Sequence, residues 1–178
     1  DGLASSITRM HRIIDEDQEK IRGLISILGG KLTGYRHIAE KVTDLVCKKM
    51  NRKHLCQTAI LPLPGAIGLD EPSQGKNFLP AQVVEHLYSL YGSRASAVIQ
   101  LAESNPEMRL RLNPAYPDIV AQVTYAIESE HCLHLSDFFQ RRTLLAFSLD
   151  QGVQAIKKVS KLMASQLGWT TKKEVSEI

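Results

Sequence analysis

The chain has 178 residues, a hydrophobic content of 43%, and 22 Lys and Arg against 19 Asp and Glu for a formal net charge of +3. That is enough apolar material for one core, or one core and a piece of another, and too much for a disordered chain. The mild charge argues against nucleic acid, no apolar run reaches the roughly 18 residues of a membrane span, and no signal-peptide pattern opens the sequence. Three cysteines, Cys47, Cys56 and Cys132, form an odd count without metal-ligand spacing, which reads as free thiols in a reducing compartment. The first residue is Asp1 rather than Met, inside strand-like sequence, so the chain is expected to be an excised piece of a longer protein.

Residues 5–14 alternate: Ile7, Arg9, His11 and Ile13 fall to one side, Thr8, Met10, Arg12 and Ile14 to the other. This is a strand period. The charged stretch 15–23 reads as a loop. Residues 24–28, Leu-Ile-Ser-Ile-Leu, are a short apolar run stopped by Gly29 and Gly30, and read as a buried second strand of an antiparallel hairpin. Two strands alone are marginal in water, so the sheet is expected to continue elsewhere. Thr33 is the expected N-cap of a helix over residues 34–50, with Tyr35, Ile38, Val42, Leu45 and Val46 on its apolar face and Lys41, Lys48 and Lys49 off it. A strand that turns through glycine into a helix start gathers open N–H groups and the positive end of a helix dipole at one point. Lys31 adds a charge there, which suits an anionic or electron-rich ligand.

Residues 55–77 carry most of the turn signals, in Leu61-Pro-Leu-Pro-Gly65 and Asp70-Glu-Pro-Ser-Gln-Gly75. The expected organisation is therefore three parts: 1–54, a connecting arm 55–79, and a helical domain 80–178. Pro80 opens a helix lined by Val83, Val84, Leu87 and Leu90 and ended by Gly92. Ser93 is expected to cap the next, with Ala95, Val98, Ile99 and Ala102 inward, up to Asn105-Pro106. Pro117 is expected to open a third, with Ile119, Val120, Val123 and Ile127 inward. Ser136 should cap a fourth, running through Phe138, Phe139, Leu144 and Leu145. The longest spans 150–167, with a stripe of Ala155, Ile156, Val159, Leu162, Met163 and Leu167, closed by Gly168 with Trp169 packing back. Thr171-Lys-Lys-Glu174 has the capping-box pattern of a last short helix. The fold class expected is mainly α: an antiparallel helical bundle preceded by a β-hairpin and one helix.

Ile-Thr-Arg at 7–9, Gly-Leu-Ile-Ser-Ile-Leu-Gly-Gly-Lys-Leu-Thr-Gly-Tyr-Arg at 23–36 and Leu-Pro-Leu-Pro-Gly at 61–65 together resemble the C-terminal part of the FAD-dependent glycerol-3-phosphate dehydrogenases. Tyr91-Gly-Ser-Arg94, Asp137-Phe-Phe-Gln-Arg-Arg-Thr143 and Leu167-Gly-Trp169 resemble the helical C-terminal domain shared with the α-glycerophosphate oxidases. The resemblance implies that the hairpin and first helix belong to a flavin and substrate domain. It implies a parent enzyme that oxidises glycerol 3-phosphate to dihydroxyacetone phosphate, with electrons passing through FAD to a quinone, or to oxygen in the oxidases. Arg9 and Lys31 are then implied to bind substrate, and Gly29, Gly30, Lys31, Leu32 and Thr33 to line the cofactor. Position 34 is Gly where the family usually has Thr, and Met10 follows Arg9 where Asp is frequent.

No Gly-x-Gly-x-x-Gly fingerprint follows a strand in the sequence, so the FAD-binding half is expected upstream, as a partner. This chain alone is expected neither to hold FAD nor to turn over. Expected localisation is cytoplasmic, with peripheral attachment to the inner face of the membrane and homo-oligomerisation left open. The alternative is a stand-alone helical interaction module with no catalytic role. His131 and His134 would share a helical face but lack a third ligand, so no metal is expected. Cys132 reads as packing, Arg141 and Arg142 as partners of Glu128, Glu130 or Asp137, and Lys157, Lys158 and Lys161 as a solvated face.

Overall fold

The computed structural model describes residues 10–19, 21–68 and 78–178. It separates into two compact units, Asp1–Pro62 and Leu63–Ile178. Their junction falls within the stretch read from sequence as an arm. Mainly helical structure with one antiparallel hairpin is what the hydrophobic periods led us to expect.

In the first unit, β1 (Arg12–Asp15) pairs antiparallel with β2 (Ile25–Leu28) in the register Arg12↔Leu28 to Asp15↔Ile25. The stretch read as a loop contains a 3-10 turn at Glu16–Glu19. Contrary to expectation, β2 is not buried: Ile27 and Leu28 are 49% and 54% exposed. Four-residue strands in a two-stranded ribbon have no second layer to cover them. Helix α1 (Tyr35–Lys49) follows a 3-10 turn at Leu32–Gly34. Thr33 lies inside that turn and does not cap the helix; Lys31, in extended backbone, precedes the turn instead.

One cation ties this unit together. Lys49, in the last turn of α1, donates to Asp15 Oδ1 at 2.6 Å and pairs with Asp17. Those contacts with Asp15 and Asp17 raise its pKa. Asp17 also accepts from the Gly23 N–H at 2.7 Å, closing the loop between the strands.

The second unit is a helical domain: α2 (Ala81–Tyr91), α3 (Ala95–Ser104), α4 (Val120–Glu130), a short α5 (Leu135–Asp137), α6 (Val153–Leu167) and α7 (Thr171–Glu177). Helix α4 is its centre. Residues 120–126 are all buried, because Ala121 and Tyr125 join a core with α2 and α3 while Val120, Val123 and Ala126 join a second core with α5 and α6. A helix covered on two sides needs no polar face. The inward face read from sequence was therefore too narrow. Buried Gln122 is satisfied: its Oε1 accepts from Ile119 N at 2.8 Å, and its Nε2 lies 3.2 Å from Asp118 Oδ1 and 3.3 Å from the Tyr91 hydroxyl. Asp118 also meets His86 Nε2 at 2.9 Å. This polar chain joins α2 to α4 through the middle of the domain.

Several helix ends differ from the sequence expectation. Pro117 does not open α4; residues 110–112 and 118–120 pair in extended form first, through Leu112 N to Asp118 O and Val120 N to Leu110 O, both at 2.9 Å. Ser93 does not cap α3, because a 3-10 turn at Gly92–Arg94 leads into it and the Ser93 N–H goes to Gly65 O at 2.9 Å. Ser136 does not cap α5. The N–H groups of Leu133 and His134 are taken by Asp137 Oδ2, at 3.1 and 3.0 Å. The expected fourth helix stops at Arg142 after a π turn at Phe138–Arg142, where Thr143 Oγ1 and N both bond to Phe138 O at 2.9 Å. Thr170, one residue earlier than expected, caps α7 by accepting from Lys173 N at 3.2 Å. Lys158 is not solvated; it donates to Arg111 O at 2.7 Å. Asp137, Thr143 and Thr170 act within three to five residues of their partners, whereas Ser93 and Lys158 find acceptors far off in sequence, at Gly65 and Arg111.

The stripe of α6 and the Gly168 terminus are as expected: Ala155, Val159 and Met163 are fully buried, Gly168 is left-handed, and Trp169 packs against the core. Arg141 pairs with Asp137 at 2.7 Å, and Arg142 donates to Glu130 O at 2.6 Å. Burial pushes the Cys132 thiol up to about 12, which suits inert packing.

Glu177 fastens α7 back onto the domain. Its carboxylate meets His134 Nδ1 at 2.8 Å, the Leu135 N–H at 3.0 Å, and Lys173. Burial by itself would raise its pKa, but these donors outweigh that and hold it at about 2, against 4.5 normally. A depressed carboxylate contributes stability that is present above its unfolded value and lost as pH falls through the folded one. The melting temperature should thus fall as pH drops from about 5 toward 2, and Glu177→Gln should flatten that slope. Parallel thermal melts at pH 5 and pH 3 check this; equal slopes in both proteins would refute it.

Candidate functional site

The glycine–lysine turn of the first unit links β2 to α1. Gly29 and Gly30 both have positive φ, +68° and +98°. A Cβ on Gly30 would stand 3.0 Å from Ile38 Cδ1 and 3.3 Å from His11 Cβ, so only glycine fits without displacement. The Gly34 N–H bonds to Lys31 O at 2.9 Å, closing the first turn. As at any helix start, the N–H groups of Leu32 and Thr33 have no acceptor inside the turn. Lys31 is exposed beside them. Uncovered apolar side chains surround this point: Leu32 is 90% exposed and Tyr35 66%. Arg36, next in α1, pairs with Glu40 at 3.3 Å and reaches Thr58 Oγ1 at 3.4 Å.

The arrangement offers a cation, donors and bare backbone next to apolar surface. That combination can take a flat, electron-rich ring or an anion. Among the predicted site residues, Gly29, Gly30, Lys31, Leu32 and Thr33 are brought together in one turn; Arg9 lies outside the described residues. Two residues the sequence reading did not single out are also here. The His11 and His37 rings meet edge-on, 6.0 Å apart with an interplanar angle of 83°. The only sequence signal for His11 was that strand alternation put it on the side of Arg9.

The metal reading of His131 and His134 has no support in the geometry. His131 is left-handed at the end of α4 and His134 precedes α5, so they share no helical face. Among the described residues no group of three metal-ligating side chains comes together. Nor is any described helix long and apolar enough to cross a membrane.

Hairpin, glycine turn and helical domain define a class of fold: a hairpin-and-helix unit followed in the chain by a helical domain. A family model for the C-terminal domain of alpha-glycerophosphate oxidase matches residues 56–174, and the chain belongs to that family. It is 38% identical over 174 residues to a glycerol-3-phosphate dehydrogenase of Synechocystis, covering 94% of this chain and 32% of that protein. Against an aerobic glycerol-3-phosphate dehydrogenase of Staphylococcus saprophyticus it is 32% identical, covering 88% of this chain and 30% of that protein. The X-ray structure of the glycerol-3-phosphate dehydrogenase from Bacillus halodurans complexed with FAD matches with a TM-score of 0.71 at 32% identity, over 93% of this chain and 35% of that one. The chain thus spans about a third of the length of these relatives.

Proposed function

We propose that the chain is the C-terminal part of a flavoenzyme that oxidises glycerol 3-phosphate to dihydroxyacetone phosphate. The observation that carries this reading is that the likeness to such dehydrogenases runs through 94% of the chain, the glycine–lysine wall included. In this reading residues 1–54 close the flavin and substrate domain, 55–79 connect, and 80–178 form the helical domain. The enzyme works in the cytoplasm or on the inner face of the membrane.

The residues present fit FAD, since Gly30 keeps bare backbone at the turn and Leu32 and Tyr35 leave apolar surface uncovered. Gly29, Gly30, Lys31, Leu32 and Thr33 would hold its ring. FAD, when bound, supplies the hydride acceptor and the route for electrons to a quinone. The chain's own part is electrostatic. Lys31 and Arg9 hold the substrate phosphate, a dianion suited to an ammonium and a guanidinium. The Leu32 and Thr33 N–H groups present preorganised donors where negative charge develops. Leu32 and Tyr35 help exclude water once covered.

The test compares the full-length parent with this chain alone. The parent should carry visible flavin absorbance and reduce a quinone only when glycerol 3-phosphate is added. The isolated chain should be colourless and inactive. A colourless parent with no such activity would favour a stand-alone helical interaction module instead.

A further inference from the structure

We propose that His11 is a positioning residue for the substrate site, acting by wedging the turn that carries Lys31, with His37 as its backstop. The proposal rests on the reading of that turn as a substrate and flavin wall, and extends it to residues that neither touch FAD nor bind phosphate in that reading. Gly30 is packed from two directions: by His11, the residue just before β1, and from α1 by Ile38. The space left for a Cβ is 3.3 Å from His11 Cβ, so His11 bounds the turn on that side. Its ring does not stand alone. It meets the edge of the His37 ring at 6.0 Å, and His37 belongs to α1. His11 is thereby held between the hairpin and the helix, with the glycine turn against it.

Positive-φ backbone at Gly29 and Gly30 has no side chain of its own to fix it, and glycine has more conformational freedom to lose than any other residue. Something external must hold the turn if Lys31 is to stay aimed. A half-buried His11 is placed to do so on one side: its Cβ bounds the turn, and loss of its ring contact with His37 would unpin that boundary from α1. Orientation, rather than bond-making, is then what His11 contributes. The ring's packing matters in this account and its nitrogens do not.

The experiment uses the full-length holoenzyme with His11→Ala, His11→Phe, His37→Ala and Lys31→Ala. His11→Ala should raise the KM for glycerol 3-phosphate about fivefold or more with kcat within about threefold and flavin content unchanged. His11→Phe should bring KM back to within about twofold of wild type, because an aromatic edge is restored. If the Phe variant stays as weak as the Ala variant, the wedge account is wrong. If Lys31→Ala raises KM while His11→Ala leaves it unchanged, the inference fails and the functional reading stands. If neither changes KM, the functional reading fails with it. Should His11→Ala lose flavin or fail to fold, His37→Ala decides: it removes an exposed ring while leaving His11 in place, and an unchanged KM there overturns the proposal.

Discussion

In the full-length enzyme, Lys31→Ala is expected to raise the KM for glycerol 3-phosphate by about 10- to 100-fold. A hydrogen bond to a charged group is worth about 1.5–3 kcal/mol, which converts to that range. Lys31 is exposed on the surface of the glycine turn, with no burial of its own to stabilise, so the fold should not register its loss. Lys31→Arg should recover only part of the affinity, since a planar fork does not replace a compact charge. Steady-state kinetics with flavin content and melting temperature measured alongside would decide. Wild-type KM in the Ala variant would remove Lys31 from the substrate site. The same measurement on Arg9→Ala tests the other predicted phosphate ligand.

The second large effect is expected on stability, at Gly92. The Leu61-Pro-Leu-Pro-Gly65 segment reads as part of an extended connecting arm in the sequence. Within the second unit its Gly65 lies against the end of α2, where Gly65 O accepts the Ser93 N–H at 2.9 Å. Gly92 has φ +57° and ψ −136°, backbone that L-residues rarely adopt. A Cβ there would run into the Gly65 carbonyl, far inside van der Waals contact. A Cβ on Gly65 (φ +91°) would stand 2.6 Å from Tyr91 O. Both glycines are thus required by one close backbone crossing. Backbone strain of about 1–3 kcal/mol, with a clash against backbone that has no rotamer to give, should make Gly92→Ala cost about 3 kcal/mol or more. Thermal or urea unfolding of the second unit's signal would show it. A melting temperature within a degree or two of wild type would contradict the crossing.

Two of the segments that carry the family likeness differ in their contacts. Asp137-Phe-Phe-Gln-Arg-Arg-Thr143 is structural: Asp137 takes two backbone N–H groups and Arg141, the two phenylalanines enter the core, Arg142 holds Glu130 O, and Thr143 ends the π turn. The Gly-Gly-Lys-Leu-Thr turn instead leaves its polar groups and apolar side chains uncovered. Exposed surface of that kind is available to a ligand or to another protein surface.

Read locally, the sequence was enough for the hairpin, for the face of α6 and its Gly168 stop, and for the place of the glycine–lysine turn. The helix face, its stop and the glycine turn depend on residues within about four positions of one another, where periodicity and turn chemistry act, and the hairpin shows in the local pattern of each strand. The helix caps were not legible, because around Asp137, Thr143 and the 110–120 bridge several nearby groups compete for the same donors and acceptors, and only the folded chain selects among them. The Lys49–Asp15 contact spans 34 residues, and nothing in a C-terminal lysine signals it. The polar line from His86 through Asp118 and Gln122 to Tyr91 was equally silent in the sequence, since it exists only where α4 is covered on both sides. Sequence by itself determined the strand before the glycines, the helix that follows them and the long helix ended by Gly168, and that a lysine stands at a glycine turn. Tertiary structure alone decided that His11 and Ile38 bound that turn and that Gly65 meets Gly92. The physical reason is the same throughout: propensity acts over a few residues, whereas close packing and hydrogen-bond satisfaction are set by neighbours the chain must fold to acquire.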